Sequence, residues 1–86
     1  MECGPGWASL IQPLIDQSIS EGATILQIKE KFGGLRFYVA GASNGLLDKA
    51  LKAEADSYSI CEICGAPGEL YNDGWMKVRC EAHKDE

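Results

Sequence analysis

Three cysteines and one histidine near the C-terminal end of the sequence have the spacing of metal ligands. Cys61 and Cys64 form a Cys-x-x-Cys pair, Cys80 and His83 form a Cys-x-x-His pair, and 15 residues separate the two pairs. Two residues between ligands let a tight turn direct both side chains at one metal, and Gly65 permits a close approach of the backbone. The pattern predicts one structural Zn²⁺ per chain, bound by these four side chains.

Four protein ligands complete a tetrahedron and leave no open position for water, which is typical of structural zinc and not of hydrolytic zinc. The alternatives are metal-free thiols or a redox pair at Cys61 and Cys64. A redox pair is the weaker alternative because the strand and helix that frame a thioredoxin-like motif are not visible around it. Cys3 stands alone near the N-terminal end, and we interpret it as a buried or free thiol.

Catalysis is not expected from this sequence. An enzyme needs a nucleophile or an acid–base pair in a pocket, and the single histidine, His83, is assigned to the metal. The remaining groups are scattered carboxylates and Cys3, which form no recognisable constellation. A chain of 86 residues also has little room to enclose a substrate.

Size and charge limit the possible functions further. A chain of 86 residues forms one small domain, which usually needs a cross-link such as a bound metal for stability. Its formal net charge of −5 disfavours non-specific binding to nucleic acid. No apolar run has the length of a membrane span, and the first residues do not resemble a secretory signal. We therefore predict a soluble cytoplasmic protein with reduced thiols.

The metal ligands must be positioned by the elements that precede them. Apolar residues at helical spacing predict a first helix that starts near Trp7 and ends before Gly22, with Pro13 either kinking it or delaying its start. The residues of this apolar stripe are Trp7, Leu10, Ile11, Leu14, Ile15 and Ile19.

Residues 23–40 read as two β-strands around Gly33-Gly34, a pair that suits a tight hairpin turn. A two-residue loop at these glycines would place Phe32 opposite Leu35. The face predicted to cover the core then consists of Leu26, Ile28, Phe32, Leu35, Phe37 and Val39. Glu30 also falls on this apolar face, either at its periphery, against the Trp7 N–H, or because the register is shifted.

A second helix is predicted after the loop 41–45, capped by Ser43 or Asn44. Its apolar residues are Leu47, Ala50, Leu51, Ala55 and Tyr58. Residues 69–79 then read as a short hairpin around Asn72-Asp73-Gly74 that returns the chain to the metal. The expected fold class is α+β: a helix, a β-hairpin and a helix in residues 1–58, and a zinc ribbon or treble-clef-like hairpin in residues 59–86, all in one domain.

The other face of the first hairpin is basic. This face carries Gln27, Lys29, Lys31, Arg36 and Tyr38, and the predicted register sets Lys31 across from Arg36. These side chains either protect an edge strand against aggregation or contact phosphate or an acidic peptide. The candidate partner-binding residues are Lys29, Lys31, Arg36, Tyr38, Lys77 and Arg79.

Three segments of the sequence carry a resemblance. They are Glu2-Cys3-Gly4-Pro5-Gly6-Trp7, Lys29-Glu30-Lys31-Phe32-Gly33-Gly34-Leu35-Arg36-Phe37-Tyr38, and residues 61–68 with Cys80 and His83. Together the segments resemble a family of small phage and prophage proteins, and the resemblance covers nearly the whole chain. It implies a mobile-element setting and, for a phage-encoded chain, the host cytoplasm, without implying a mechanism.

Two functions remain in competition. The first is a protein that binds a host protein or a protein–nucleic acid complex, most specifically an anti-CRISPR-like inhibitor of a host defence or nucleic-acid-handling complex. Its acidic residues would engage a basic groove. They are Asp48, Glu54, Asp56, Glu62, Glu69, Asp73, Glu81, Asp85 and Glu86. The second is a zinc-ribbon regulator that binds nucleic acid directly, which the net acidic charge disfavours.

Overall fold

Within the residues that the structure describes, the protein forms two α-helices and two small antiparallel hairpins. The computed structural model describes residues 3–72 and 74–86, so Glu2 and Asp73 lie outside the described residues. A 3₁₀ turn at Pro5–Trp7 leads into α1 (Ala8–Glu21), β1 (Thr24–Lys31), β2 (Gly34–Ala40), α2 (Asn44–Ser57), β3 (Glu69–Asn72) and β4 (Met76–Arg79). This mixture of helices and small antiparallel sheets in a compact domain confirms the predicted α+β class.

Helix α1 ends at Gly22, whose left-handed backbone (φ 73°) lets its N–H bond the carbonyls of the last turn. Pro13 lies inside the helix, on its exposed side. Ile11 and Leu14 are buried as the apolar stripe predicts, but the prediction for Ile19 is wrong because its side chain is 72% exposed. Ser18 is buried instead, and its hydroxyl donates a hydrogen bond to the Leu14 carbonyl.

The turn predicted for the first hairpin is wrong by one residue, so the predicted strand pairing is wrong by two residues. Lys31 pairs with Gly34, so the two turn residues are Phe32 and Gly33, and both have positive φ angles, 55° and 86°. Positive φ at both turn positions suits the right-handed twist of the flanking strands. Arg36 therefore lies across from Lys29 and not from Lys31.

The shift moves Phe32 into the turn and leaves the other paired strand residues on their predicted faces. Leu35 is fully buried, and Ile28, Phe37 and Val39 pack against the core as predicted. Leu26, at an irregularity in the pairing, and Phe32, in the turn, are 64% and 62% exposed, so both predictions of burial are wrong.

Glu30 remains on the core side of the hairpin, where it closes the turn. It pairs with Leu35, and its carboxylate accepts a hydrogen bond from the Gly33 N–H at 2.8 Å. The Trp7 indole N–H donates instead to the Ile60 carbonyl. Glu30 thus stays on the predicted face and has a structural role there, as the acceptor for the N–H of a turn residue.

Helix α2 is capped as predicted, because the Ser43 hydroxyl accepts a hydrogen bond from the Leu46 N–H. Ala50 and Tyr58 of the predicted apolar stripe pack against the core, but the prediction is wrong for Leu47 and Leu51, which are 43% and 65% exposed, and for Ala55, which is also exposed. The buried apolar residues of this helix are instead Leu46 and Ala53. Two apolar stripes of this helix both satisfy helical spacing, and only the packing partner distinguishes them.

The core lies between the two helices, the first hairpin and strand β4. Its buried apolar residues are Trp7, Ile11, Leu14, Leu35, Leu46, Ala53 and Val78. The second hairpin meets the tip of the first, where a Cβ added to Gly33 would lie 2.6 Å from Leu70 Cδ1. Neither helix, within residues 3–72 and 74–86, has the length and apolarity needed to cross a membrane.

Candidate metal centre

The four predicted ligands converge on one point of the structure. The sulfur atoms of Cys61, Cys64 and Cys80 and a ring nitrogen of His83 all lie within 4.8 Å of one another. Cys64 Sγ is 3.5 Å from Cys80 Sγ, and His83 Nδ1 is 3.2 Å from Cys80 Sγ and 3.8 Å from Cys61 Sγ. The tertiary structure therefore positions these residues for metal binding.

These separations fit the edges of a metal tetrahedron. Metal–sulfur bonds of about 2.3 Å and metal–nitrogen bonds of about 2.0 Å imply ligand–ligand edges of about 3.5 to 3.8 Å. The cysteines are free thiols, and 3.5 Å between Cys64 and Cys80 sulfurs is far longer than a disulfide bond. A set of three sulfurs and one imidazole is a donor set for a soft or borderline divalent ion.

A tight turn holds the first ligand pair. The Cys61 N–H donates to the Ala66 carbonyl at 2.8 Å, and the Gly65 N–H donates back to the Cys61 carbonyl at 2.9 Å. An antiparallel β-bridge between Ile60 and Pro67 joins the residues that come before and after this turn. Cys61 is buried and Cys64 is exposed, so the centre lies at the surface with one wall in the interior.

Strand β4 delivers the second pair. Cys80 follows Arg79, the last residue of β4, and the His83 N–H donates to the Cys80 carbonyl at 3.1 Å. The neighbouring Val78 carbonyl accepts a hydrogen bond from the Glu62 N–H at 3.2 Å, which fixes the two ligand segments relative to each other. The hairpin predicted from residues 69–79 thus brings Cys80 and His83 to the first pair.

The contacts within the centre lower the pKa of two ligand thiols, Cys61 and Cys80, and raise that of the third. A backbone hydrogen bond from Ala66 would lower the pKa of Cys64, but burial and the contacts with Cys80 and Cys61 raise it. Burial would raise the pKa of Cys61, but hydrogen bonds from backbone groups at Cys64, Cys80 and Ile63 lower that pKa to about 6. Burial also opposes ionisation of Cys80, yet the Cys64 and His83 side chains lower its pKa. The hydrogen bonds to Cys80 and Cys61 raise the pKa of His83.

Glu62, between the two cysteines of the first pair, connects the metal centre to the rest of the molecule. One carboxylate oxygen accepts from Arg79 Nη1 at 3.2 Å, and the other accepts from the Gly4 N–H at 2.8 Å. The side chains of Glu62 and Arg79 are only 13% and 9% exposed. The sequence analysis counted Glu62 among surface carboxylates, but its position within the metal-binding turn makes it a structural residue.

The N-terminal segment packs directly on the metal-binding turn. The Gly6 N–H donates to the Glu62 carbonyl at 2.7 Å, and a Cβ added to Gly6 would lie 2.1 Å from the Cys61 carbonyl oxygen. Trp7 is fully buried. Sequence reasoning missed this contact, although the Gly-Pro-Gly-Trp segment is a signal for close backbone approach followed by a buried anchor.

Cys3 is not part of the ligand cluster found in the described residues. It is partly buried and packs against the hydrophobic core, as expected of a thiol outside the metal site. Burial raises its pKa, and the nearby Glu62 carboxylate adds to the shift. Cys3 is therefore a poor nucleophile near neutral pH.

The candidate partner-binding residues fall into two groups. The first group lies on the first hairpin. The Lys29 ammonium lies 5.9 Å from the centre of the Tyr38 ring, and the Lys31 ammonium lies 5.5 Å from the centre of the Phe32 ring. Arg36 forms an ion pair with Glu54 at 2.9 Å.

Lys77 and Arg79 both donate to the backbone carbonyl of Glu86, at 3.1 and 3.2 Å. Arg79 is also buried against Glu62. The six candidate residues thus do not form one continuous surface of free cations.

The chain was also compared with models of protein families, with curated proteins and with solved structures, and none of the three comparisons found a match.

Proposed function

We propose that this protein is a non-catalytic binding domain held together by one structural zinc ion. The observation that carries the proposal is the set of four ligands, Cys61, Cys64, Cys80 and His83, whose ligand atoms all lie within 4.8 Å of one another. Zinc is the metal for which three thiolates and an imidazole form a closed structural site. When bound, the ion supplies folding free energy and cross-links the two ligand segments.

A zinc ribbon or treble-clef-like arrangement is the finer form of this proposal. The turn at Cys61 and Cys64, followed by the β3–β4 hairpin that ends at Cys80, supports it. Residues 81–85 form turns.

The absence of a second cluster supports a non-catalytic role. Among residues 3–72 and 74–86, the metal centre is the only group of three or more His, Cys, Asp and Glu side chains that converge. If all four of these ligands bind the metal, acid–base or nucleophilic catalysis would need a second group of reactive side chains close together. A site closed by four protein ligands also gives water no access to the ion.

The partner in this proposal is a host macromolecule in the host cytoplasm, and most specifically a host defence or nucleic-acid-handling complex that the protein inhibits. The net charge of −5 supports a protein partner over direct nucleic-acid binding. The engagement of Arg36 and Arg79 in ion pairs leaves few free cations for phosphate. Exposed aromatic side chains such as Trp75, which is 63% exposed, provide anchors of the kind found at protein interfaces.

The experiment is native mass spectrometry of the purified protein, followed by capture of partners from host lysate on immobilised protein. The expected result is one zinc per chain and a co-purifying nucleic-acid-handling complex, whose activity falls when zinc-loaded protein is added. The Cys64→Ala variant is the matched control and should neither hold zinc nor inhibit. Absence of zinc, or capture of nucleic acid without protein, would contradict the proposal.

A further inference from the structure

The two edges of the first hairpin differ in how they are covered. Helix α2 covers the outer edge of β2, where the Leu35 N–H donates to the Ser57 hydroxyl at 2.9 Å. Ser57 is fully buried. The outer edge of β2 is therefore bonded within the protein at Leu35, next to the hairpin turn.

The pairing pattern identifies which backbone groups leave the outer edge of β1. Hydrogen-bonded and non-hydrogen-bonded pairs alternate along an antiparallel ladder. Because the Leu35 N–H points away from β1, its pair with Glu30 is of the non-hydrogen-bonded kind, and so is the pair of Ile28 with Phe37 two residues along. The N–H and C=O groups of Ile28 and Glu30 therefore point outward from β1.

This outer edge has no partner in the part of the chain that the structure describes. Neither backbone nor side-chain hydrogen bonds reach the outward N–H groups of Ile28 and Glu30. An irregularity at Leu26 ends the regular pairing, so the open edge extends from Gln27 to Lys31. A free edge of this kind is a template for an added strand.

The side chains beside the open edge are positively charged. Lys29 and Lys31 form no ion pair among the described residues and lie instead over the rings of Tyr38 and Phe32. The one carboxylate of the segment, Glu30, is turned toward the Gly33 N–H. A strand added here would meet two unpaired ammonium groups, and opposite charges in cross-strand positions stabilise pairing.

Phe32 supplies an independent observation. It adopts a left-handed backbone, φ 55°, which is rare for a bulky side chain and costs about 1 kcal/mol or more. Its ring is nevertheless 62% exposed, so the fold gains little burial in return. The two-residue turn explains the positive φ but not the choice of a bulky, exposed ring at this position, and that ring is available to contact a partner.

We infer that the open edge of β1, from Gln27 to Lys31, binds an extended acidic segment of a protein partner as a third strand. This inference rests on the proposed function and specifies the class of partner. Backbone hydrogen bonds at Ile28 and Glu30 provide affinity, carboxylates of the partner face Lys29 and Lys31, and Phe32 covers an apolar side chain at the end of the segment.

The same observations disfavour two other occupants. Two free lysines are too few for nucleic acid, whose binding by proteins commonly depends on about six or more phosphate contacts. A second copy of this chain, paired through the same edge about a two-fold axis, would bring the lysines of both copies together.

The test uses two synthetic decapeptides, one alternating Glu with Val and one alternating Lys with Val, added to zinc-loaded protein. Binding is followed by amide chemical shifts and by hydrogen exchange. The acidic peptide should shift the amides of Ile28 and Glu30 and slow their exchange, and the basic peptide should leave them unchanged. The variant Lys29→Glu/Lys31→Glu should weaken acidic-peptide binding about tenfold, because two favourable cross-strand charge pairs become repulsive.

Lys49→Glu/Lys52→Glu, which changes two lysines of α2 by the same total charge, is the matched control and should bind like the wild type. Equal binding of both peptides, shifts that map outside β1, or an equal loss in the control variant would overturn the inference. Competition by oligothymidine at Phe32 and Tyr38 would also overturn it, in favour of nucleic acid. If a captured host complex binds the Lys29→Glu/Lys31→Glu variant as tightly as the wild type, this inference fails while the proposed function stands.

Discussion

Glu62 illustrates how much one side chain of the metal-binding turn contributes to the fold. Its backbone bonds Val78 and Gly6, and its carboxylate bonds Gly4 and Arg79. A buried ion pair gives little net stability when intact, but loss of one partner leaves an uncompensated charge in the interior. The metal ligands and Glu62 therefore act at one location, the ligands by holding the ion and Glu62 by attaching the N-terminal segment.

Substitution of Cys64 by alanine should remove the metal and unfold the segment from Ile60 onward, because binding free energy in such sites is folding free energy. Zinc content by native mass spectrometry and amide spectra of residues 60–86 measure both effects. Cys3→Ala is the control, since Cys3 lies outside the ligand cluster of the described residues and should keep one zinc per chain. A Cys64→Ala variant that keeps its zinc and its spectrum would contradict the structural assignment.

Glu62→Ala should destabilise the protein by about 3 kcal/mol, because Arg79 is left buried without its partner. Urea denaturation of the zinc-loaded proteins provides the measurement. The matched control is Glu81→Ala, which removes an exposed ion pair with Lys84 and should cost much less. Similar losses in the two variants would show that the Glu62–Arg79 pair is not buried in solution.

At the scale of elements, the first hairpin depends on its turn and the helices depend on a contact between their ends. The turn residues Phe32 and Gly33 set the register, which in turn selects Leu35 for the core. Glu21, the last residue of α1, accepts hydrogen bonds from the backbone N–H and the hydroxyl of Ser43, which caps α2. Each element is thus fixed by a few polar contacts at its ends.

Phe32→Asn should stabilise the protein by about 1 kcal/mol, since Asn-Gly is the preferred pair for a turn with two positive φ angles and the lost ring is mostly exposed. The thermal midpoint measures the change. Phe37→Asn, in a side chain that packs on the core, is the contrasting substitution and should destabilise. Destabilisation by Phe32→Asn would indicate that the ring contributes to folding and not to binding.

The contact between the helix ends predicts a pH effect. Hydrogen bonds from Gln17 and Ser43 lower the pKa of the Glu21 carboxyl. A lowered pKa in the folded state means that this contribution to stability is complete above the ordinary carboxyl pKa and is lost as pH falls through the folded-state value. Near neutral pH, the wild-type protein should therefore unfold at a higher urea concentration than the Glu21→Gln variant. The difference between the two midpoints should become smaller at acidic pH. A difference that grows as the pH falls would contradict this sign.

At the scale of the whole molecule, the metal centre and the hydrophobic core share one boundary. Trp7 is buried in the core, and its indole N–H donates to Ile60, one residue before the first ligand. Val78 is buried two residues before Cys80. Loss of the metal should therefore disturb the core as well as the ligand segments.

Removal of zinc by a chelator should shift the fluorescence of Trp7 to longer wavelength, because its indole becomes exposed to water. The Trp75→Phe variant isolates this signal, since Trp75 is the other tryptophan and is already 63% exposed. Adding zinc back should restore the emission. An unchanged spectrum after complete zinc removal would show that the core is stable without the metal.

The sequence alone determined the four candidate ligands, the end of the first helix before Gly22, a cap of the second helix at Ser43 or Asn44, and the α+β class. These features depend on local spacing and on residue chemistry, which the tertiary structure does not alter. The ligand pairs needed only a tight turn at each end, and the intervening residues carried the signal of a hairpin.

The tertiary structure decided the register of the first hairpin, the buried side of α2 and the role of Glu62. Gly33-Gly34 and Phe32-Gly33 are both possible turns by sequence. Only a turn at Phe32-Gly33 points the Leu35 N–H away from β1, toward the Ser57 hydroxyl at the end of α2. Leu46 and Leu47 both fit a helical stripe, and the packing against α1 and β2 selects Leu46. Such choices depend on contacts between residues far apart in the chain, which local periodicity does not contain.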